Sequence, residues 1–166
     1  MQRPESDFDA LRDDLKQVYD GDPWHGSPIT TVLNGIDAKT AARRSVPHGH
    51  TIWEIVLHMT GWTREVASRV RGNDAGNPPE DWPSQPQKIT EADWRAVQND
   101  LHAAHHDLMR AVDALNPADL VRMVGDQRDP AGGTGKTVGS HIRGLLQHHT
   151  YHEGQIALLR KAARTD

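Results

Sequence analysis

Cysteine is absent from the 166 residues. That excludes disulfides, thiolate metal sites and cysteine nucleophiles together, and leaves histidine and carboxylates as the metal ligands on offer. Aromatic residues are scarce at 5%, comprising five Trp, two Tyr and one Phe. No apolar run approaches the roughly 20 residues of a membrane helix, and the opening stretch MQRPESDFDALRDD has no signal-peptide core. A cytoplasmic protein without a membrane partner is expected. A dominant charge is missing too. The 19 basic and 23 acidic residues are interspersed, the net charge is -4, and nothing resembles a nucleic-acid footprint.

Hydrophobic residues make up 36% and charged residues 25% of the chain, a polar globular composition. Its length suits a single domain, residues 1–166, large enough to bury a sizeable core. Four amphipathic segments stand out. Phe8, Leu11, Leu15, Val18 and Tyr19 predict a helix over Asp7 to Asp20, stopped by Gly21 and Pro23. A connection with short helical turns at Pro28 to Leu33 and Ala38 to Arg43 follows, and Trp24 within it reads as a plug under the loop or a lid over a pocket. A capping box, Thr51 with Glu54, opens a second helix that runs to about Arg71 with Ile52, Ile55, Met59, Val66 and Val70 inward. A second box, Thr90 with Asp93, opens a third to about Leu115. The fourth starts near Thr137 and carries HHTYHEGQIALLRK, His148 to Lys161, with Leu145, Leu146, Ile156, Leu158 and Leu159 as apolar anchors.

Residues 72–89 hold four prolines and two glycines without periodicity, so they form a loop. Eighteen extended residues reach roughly 60 Å, whereas the second helix is only about 30 Å long. The loop can therefore start the third helix parallel to the second. With no convincing strand pattern, the fold class is all-α: a four-helix bundle in up-down-down-up order with its long connection between helices 2 and 3.

Eleven histidines are the conspicuous surplus. His148 and His152 stand four apart, one turn along one helix face, the relation in which two imidazoles grip one metal ion. At the helical step of about 100° they flank the stripe Val138, Ile142, Leu145, His149 and Ile156, which places the pair beside a buried face. The pair needs a third ligand, and His58, at the edge of the second helix's stripe, is the best candidate. His102, His105, His106 and His141 compete with it. The stretch GTGKT invites a phosphate-loop reading and fails it, because the required glycine five positions before Gly135 is Pro130 and no strand precedes it.

Three segments, PWHGSPITTVLNGIDAKTAARR, TIWEIVLHMTGWTREVASRVRGN and HIRGLLQHHTYHEGQIALLRK, together cover about half the chain. In this order they resemble the DinB/YfiT-like superfamily of small metal-binding bundles. The resemblance implies a divalent metal, zinc or nickel, on His58, His148 and His152, and frequent homodimerisation. Tyr151 stands where members often carry a further histidine that is not a ligand. Some members are similar to thiol-dependent transferases or isomerases that use bacillithiol, mycothiol or glutathione, and many are described as hydrolases by inference alone. The expectation is a metal-dependent enzyme on a small-molecule substrate, as a thiol-dependent S-transferase or a hydrolase, with a low-molecular-weight thiol as partner. The alternatives are a non-catalytic metal-binding or stress-related bundle and a structural bundle with incidental histidines. Glu54, one turn before His58, is the catalytic candidate, as a base or an orienting group, in competition with its capping role. Glu153 and Gln155 come after it.

Overall fold

Helix ends in this chain are set by short-range chemistry. In the computed structural model, which describes residues 6–76 and 80–163, six helices follow in order. They are α1 (Asp7–Asp20), α2 (Ile29–Leu33), α3 (Ala38–Ala42), α4 (Ile52–Val70), α5 (Glu91–Asp113) and α6 (Val138–Ala162), with a 3₁₀ turn at Pro117–Val121. The side chains of Ser6, Asp37, Thr51, Thr90 and Thr137 each accept a backbone N–H of the following first turn, satisfying donors a helix start leaves open. Thr51 and Glu54 form the full reciprocal box. The box expected at Thr90 is half made: Thr90 caps the Asp93 N–H, but the Asp93 carboxylate accepts the Thr90 hydroxyl (2.6 Å) and not the Thr90 N–H. Gly72, at φ 100°, closes α4 in the left-handed region and donates to the Arg69 carbonyl (3.0 Å).

Helix α4 lies at the centre and packs mainly against α5 and α6. Its inward residues Ile52, Ile55, Met59, Val66 and Val70 are all buried, each such side chain contributing roughly 1.5–3 kcal/mol of transfer free energy. One part of the core surrounds Trp53 and Trp94, whose rings meet at 5.2 Å. The other joins α1 to α4, α5 and α6 through Leu15, Val66, Leu108 and Ile142. Among the described residues no strand forms, only two isolated β-bridges, and no helix is long and apolar enough to cross a membrane.

The loop over 72–89, of which 77–79 lie outside the described residues, returns along α4. Asp81 and Trp82 meet His58 in mid-helix, and Gln85 accepts the hydroxyl of Thr51 at the helix start (2.8 Å). Between α4 and α5, Arg64 pairs with Asp100 and Arg71 with Asp107 (2.7 Å).

Two expectations are corrected. Trp24 is neither plug nor lid but fully exposed, at 102%. It sits in a turn closed by the Gly26 N–H on the Pro23 carbonyl (3.2 Å), which points it outward. Leu158 is no anchor either, being 69% exposed beside a buried Leu159. The 100° step of the helix separates the two.

Candidate metal centre

Three imidazoles from two helices meet at one point. The Nε2 of His58, on α4, lies 2.8 Å from the Nε2 of His148, on α6, and the Nε2 of His152 lies 3.1 Å from that same atom. His58 and His152 are buried and His148 partly so. The α6 pair shares a face through its four-residue spacing, while packing of α4 against α6 delivers His58. Two of the rings are oriented from behind. His58 Nδ1 donates to the carbonyl of Asp81, whose carboxylate oxygen stands 3.4 Å away. His152 Nδ1 donates to Oε1 of Gln155, three residues along α6 (2.6 Å).

These acceptors decide the tautomers. A ring with its proton on Nδ1 presents a lone pair at Nε2, so His58 and His152 aim lone pairs at the same place. His148 has no partner at Nδ1. Bringing such atoms within about 3 Å is unfavourable without a shared cation or proton between them, and neutral imidazoles held from behind by oxygen acceptors are the donor set a zinc-like dication takes. Burial, reinforced by His152 and His58, lowers the His148 pKa to about 4, and burial lowers that of His152. The His148 and His152 rings are therefore neutral at pH 7, as metal ligation requires. The residues present fit a divalent metal.

The indole of Trp82 stacks on His58 (4.0 Å, 4°) and on His50 behind it (3.5 Å, 5°), and Trp62 donates its indole N–H to the Asp81 carboxylate (3.0 Å). The triad opens on a cavity of about 770 Å³, walled by Trp62, Trp82, Val66, Leu145 and Tyr151. Neither Asp81 nor Trp82 was singled out from sequence. The only signal was local: an acid and a tryptophan in a proline-rich loop with no helical face to occupy.

The other candidates do not join the triad. Glu54 has both oxygens engaged, one by the Thr51 N–H (2.9 Å) and one by Arg44 (2.8 Å). Burial works to raise its pKa, but the Thr51 and Arg44 contacts outweigh it and the net shift is downward. It caps α4 and does not line the cavity. Glu153 is buried with His25 at 3.4 Å, and burial raises its pKa. His149 lies about 100° around α6 from His148 and is fully buried against the Thr63 hydroxyl of α4 (3.0 Å), outside the triad. His141 reaches the cavity but gives its Nδ1–H to the Thr137 carbonyl (3.0 Å). His102, His105 and His106 gather on α5 beside Tyr19, away from the triad.

Comparison with known proteins returned one kind of result. A family model described as the DinB superfamily matches residues 27–156, a span that includes all three histidines of the triad. No curated protein and no solved structure matches the chain.

Proposed function

This chain belongs to the DinB superfamily, and from that premise we propose that it is a metal-dependent enzyme acting on a small molecule, with His58, His148 and His152 as the ligands of one divalent ion, zinc or nickel. The observation that carries the reading is the convergence of three Nε2 atoms, two of them with their Nδ1 protons committed to oxygen acceptors. Three protein ligands leave a place for substrate, the arrangement of catalytic rather than closed structural sites. A dication held there supplies Lewis acidity, which favours the deprotonated form of an incoming water or thiol.

The chain's own residues do the rest. The Asp81 carbonyl and Gln155 amide hold two rings in place, and Trp82 shields His58 from solvent by stacking on it. Trp62 and Tyr151 offer flat surfaces against which a substrate can rest. Without a cysteine, sulfur chemistry in this cavity requires a thiol brought by a cosubstrate, and S-transfer from a low-molecular-weight thiol is the reading we favour over hydrolysis. Among the described residues the one carboxylate lining the cavity, Asp81, accepts the Trp62 indole N–H and stands against His58, so it is engaged at the triad rather than offered to a water, which is why the transferase comes first.

The helix order is read as up-down-down-up. Arg64–Asp100 and Arg71–Asp107 share one sequence offset, as parallel neighbours do, while Arg12–Asp113 and Tyr19–His102 run in opposite senses, as antiparallel α1 and α5 do. A homodimer is supported by an exposed strip of α6 where Tyr151 and Leu158 flank Gly154, which has open space above it.

The experiment pairs metal analysis of untagged protein with turnover. Metal-loaded protein is mixed with a panel of cellular thiols and a chromogenic electrophile, and conjugate formation is followed. Faster conjugation than by the His58→Ala protein is expected. Equal rates across the panel would remove the transferase, and ester or amide turnover lost in the same variant would put the hydrolase in its place.

A further inference from the structure

The cavity has two chemically different ends. At one stand the three imidazoles, with Asp81 and Trp82. At the other stand Arg69 from α4, Lys136 just ahead of the α6 N-cap, and Arg143 on α6. Arg143 is five residues from His148 and Arg69 eleven from His58, so at about 1.5 Å of rise per residue the basic end lies roughly 7–17 Å from the triad.

The basic end is under-neutralised. Lys136 and Arg143 are exposed, and neither has an ion-pair partner among the described residues. Arg69 is held by Glu65 through a single carboxylate oxygen, at 2.9 Å from Nε and 2.8 Å from one terminal nitrogen. Among the described residues the only carboxylate lining the cavity is Asp81, and it belongs to the triad end. A protein of net charge -4 therefore lines this cavity with two unpaired basic groups, Lys136 and Arg143, beside an Arg69 that Glu65 already holds. Walls of one sign around a recess concentrate the field and draw in ions of the opposite sign. The positive end of the α6 dipole, beside Lys136, adds to it.

Local backbone chemistry places the lysine. Gly133 and Gly135 adopt φ of 60° and 64°, a left-handed conformation that costs a side-chain-bearing residue about 1 kcal/mol or more. The Lys136 carbonyl then accepts the Val124 N–H (3.0 Å), and Val138 N–H donates to the Arg122 carbonyl (2.9 Å). The glycines of GTGKT thus serve a turn that pins Lys136 at the cavity rim.

We propose that the site takes an elongated anion, a small molecule whose reacting group lies at the triad and whose carboxylate or phosphate lies at Arg69, Lys136 and Arg143. The reactive end of this assignment rests on the metal-dependent reading above, and the anionic end rests on the cavity alone.

Titration calorimetry on the full chain tests it with S-methylglutathione, whose sulfur is blocked and whose carboxylates are free, with its dimethyl ester, and with phenyl phosphate. At least one anionic probe should bind about five- to tenfold more tightly than the ester, the scale of two exposed ion pairs, and the tighter of the two identifies the group. The Lys136→Gln/Arg143→Gln protein, altered only at exposed positions, should lose that preference while keeping its metal content. So should the wild type in 0.5 M salt, a concentration of roughly half the 1 M at which the screening length is about 3 Å. Equal affinity for acid and ester, an unaffected double variant, or no binding of either anion at millimolar concentration overturns the proposal. Metal is measured in the same samples. A metal-free protein that still prefers the anion sinks the metal reading and leaves this one standing, and a metal-loaded protein indifferent to charge does the reverse.

Discussion

Two long helices each carry an HxxxH pair, His102 and His106 on α5 and His148 and His152 on α6. Their local geometry is nearly the same: Nε2 atoms 2.9 and 3.1 Å apart, rings at 4.2 Å and 83° against 4.4 Å and 79°. What differs is the partner of the rear nitrogen. His102 Nδ1 faces the Tyr19 hydroxyl (3.3 Å), which can donate or accept, so with either tautomer of His102 a single proton closes its contact with His106. That chain is satisfied by its own protons. His152 Nδ1 faces the amide oxygen of Gln155, which only accepts, and a third lone pair arrives from His58. The first pair is exposed and the second is at a cavity. Spacing along a helix therefore makes a chelate possible, and the outer hydrogen bonds decide whether the lone pairs are on offer.

The sharpest way to break this contrast is to remove a ligand. His148→Ala should lower metal affinity more than about a hundredfold, beyond the 10–100-fold that outer partners cost, whereas His106→Ala should leave it unchanged. Plasma-mass analysis of untagged protein and competition with a chelator read both. Equal losses would mean that the α5 pair is a site as well.

Next comes His149→Ala, next to His148 in sequence but turned about 100° away and buried against Thr63. Loss of the ring and of its bond to Thr63 should cost about 2–4 kcal/mol in denaturant unfolding, with metal stoichiometry retained. A loss of metal without a loss of stability would place the wrong face of α6 at the site.

Gln155→Leu removes only the acceptor behind His152. Metal affinity should fall about tenfold or more while the unfolding midpoint barely moves, and an unchanged affinity would show that the amide does not orient the ring.

Acid should distinguish the clusters by a smaller effect. Burial, with His106 and His102 adding to it, lowers the His105 pKa to about 3, where the ring stacks on Tyr19 at 3.8 Å. Between the unfolded value of about 6.5 and that folded value the unfolded chain binds the proton and the folded one does not. Stability is thus lost as pH falls through this window, by up to about 1.4 kcal/mol per pH unit from this group. His105→Gln should flatten the dependence of the urea midpoint between pH 6.5 and 4.5, and an unaltered slope would assign the acid sensitivity to the other buried rings, His148 and His149, whose pKa values burial also lowers. The smallest change is expected from His102→Ala, within about 0.5 kcal/mol as for other exposed positions.

Much of this was legible locally. Thr51, Thr90 and Thr137 were read as helix starts and Gly72 as a stop because capping acts over three or four residues. The buried faces of α4 and α6 followed from periodicity alone. Trp24 was misread for the same reason. A tryptophan is buried on average, but its direction here comes from a turn whose exposure no periodic pattern encodes.

Sequence by itself determined the helices, their inward stripes, the absence of any thiol and the possibility of a chelating pair, since each depends on neighbours within about one turn or on composition. Tertiary structure decided which of two equivalent pairs meets a third imidazole, that Asp81 and Trp82 return to stand behind His58, and that Arg69, Lys136 and Arg143 share one cavity. Those relations join residues more than twenty positions apart, or helices whose register only packing sets. The hydrogen bonds that orient a ring or free a lone pair exist only once that packing is complete.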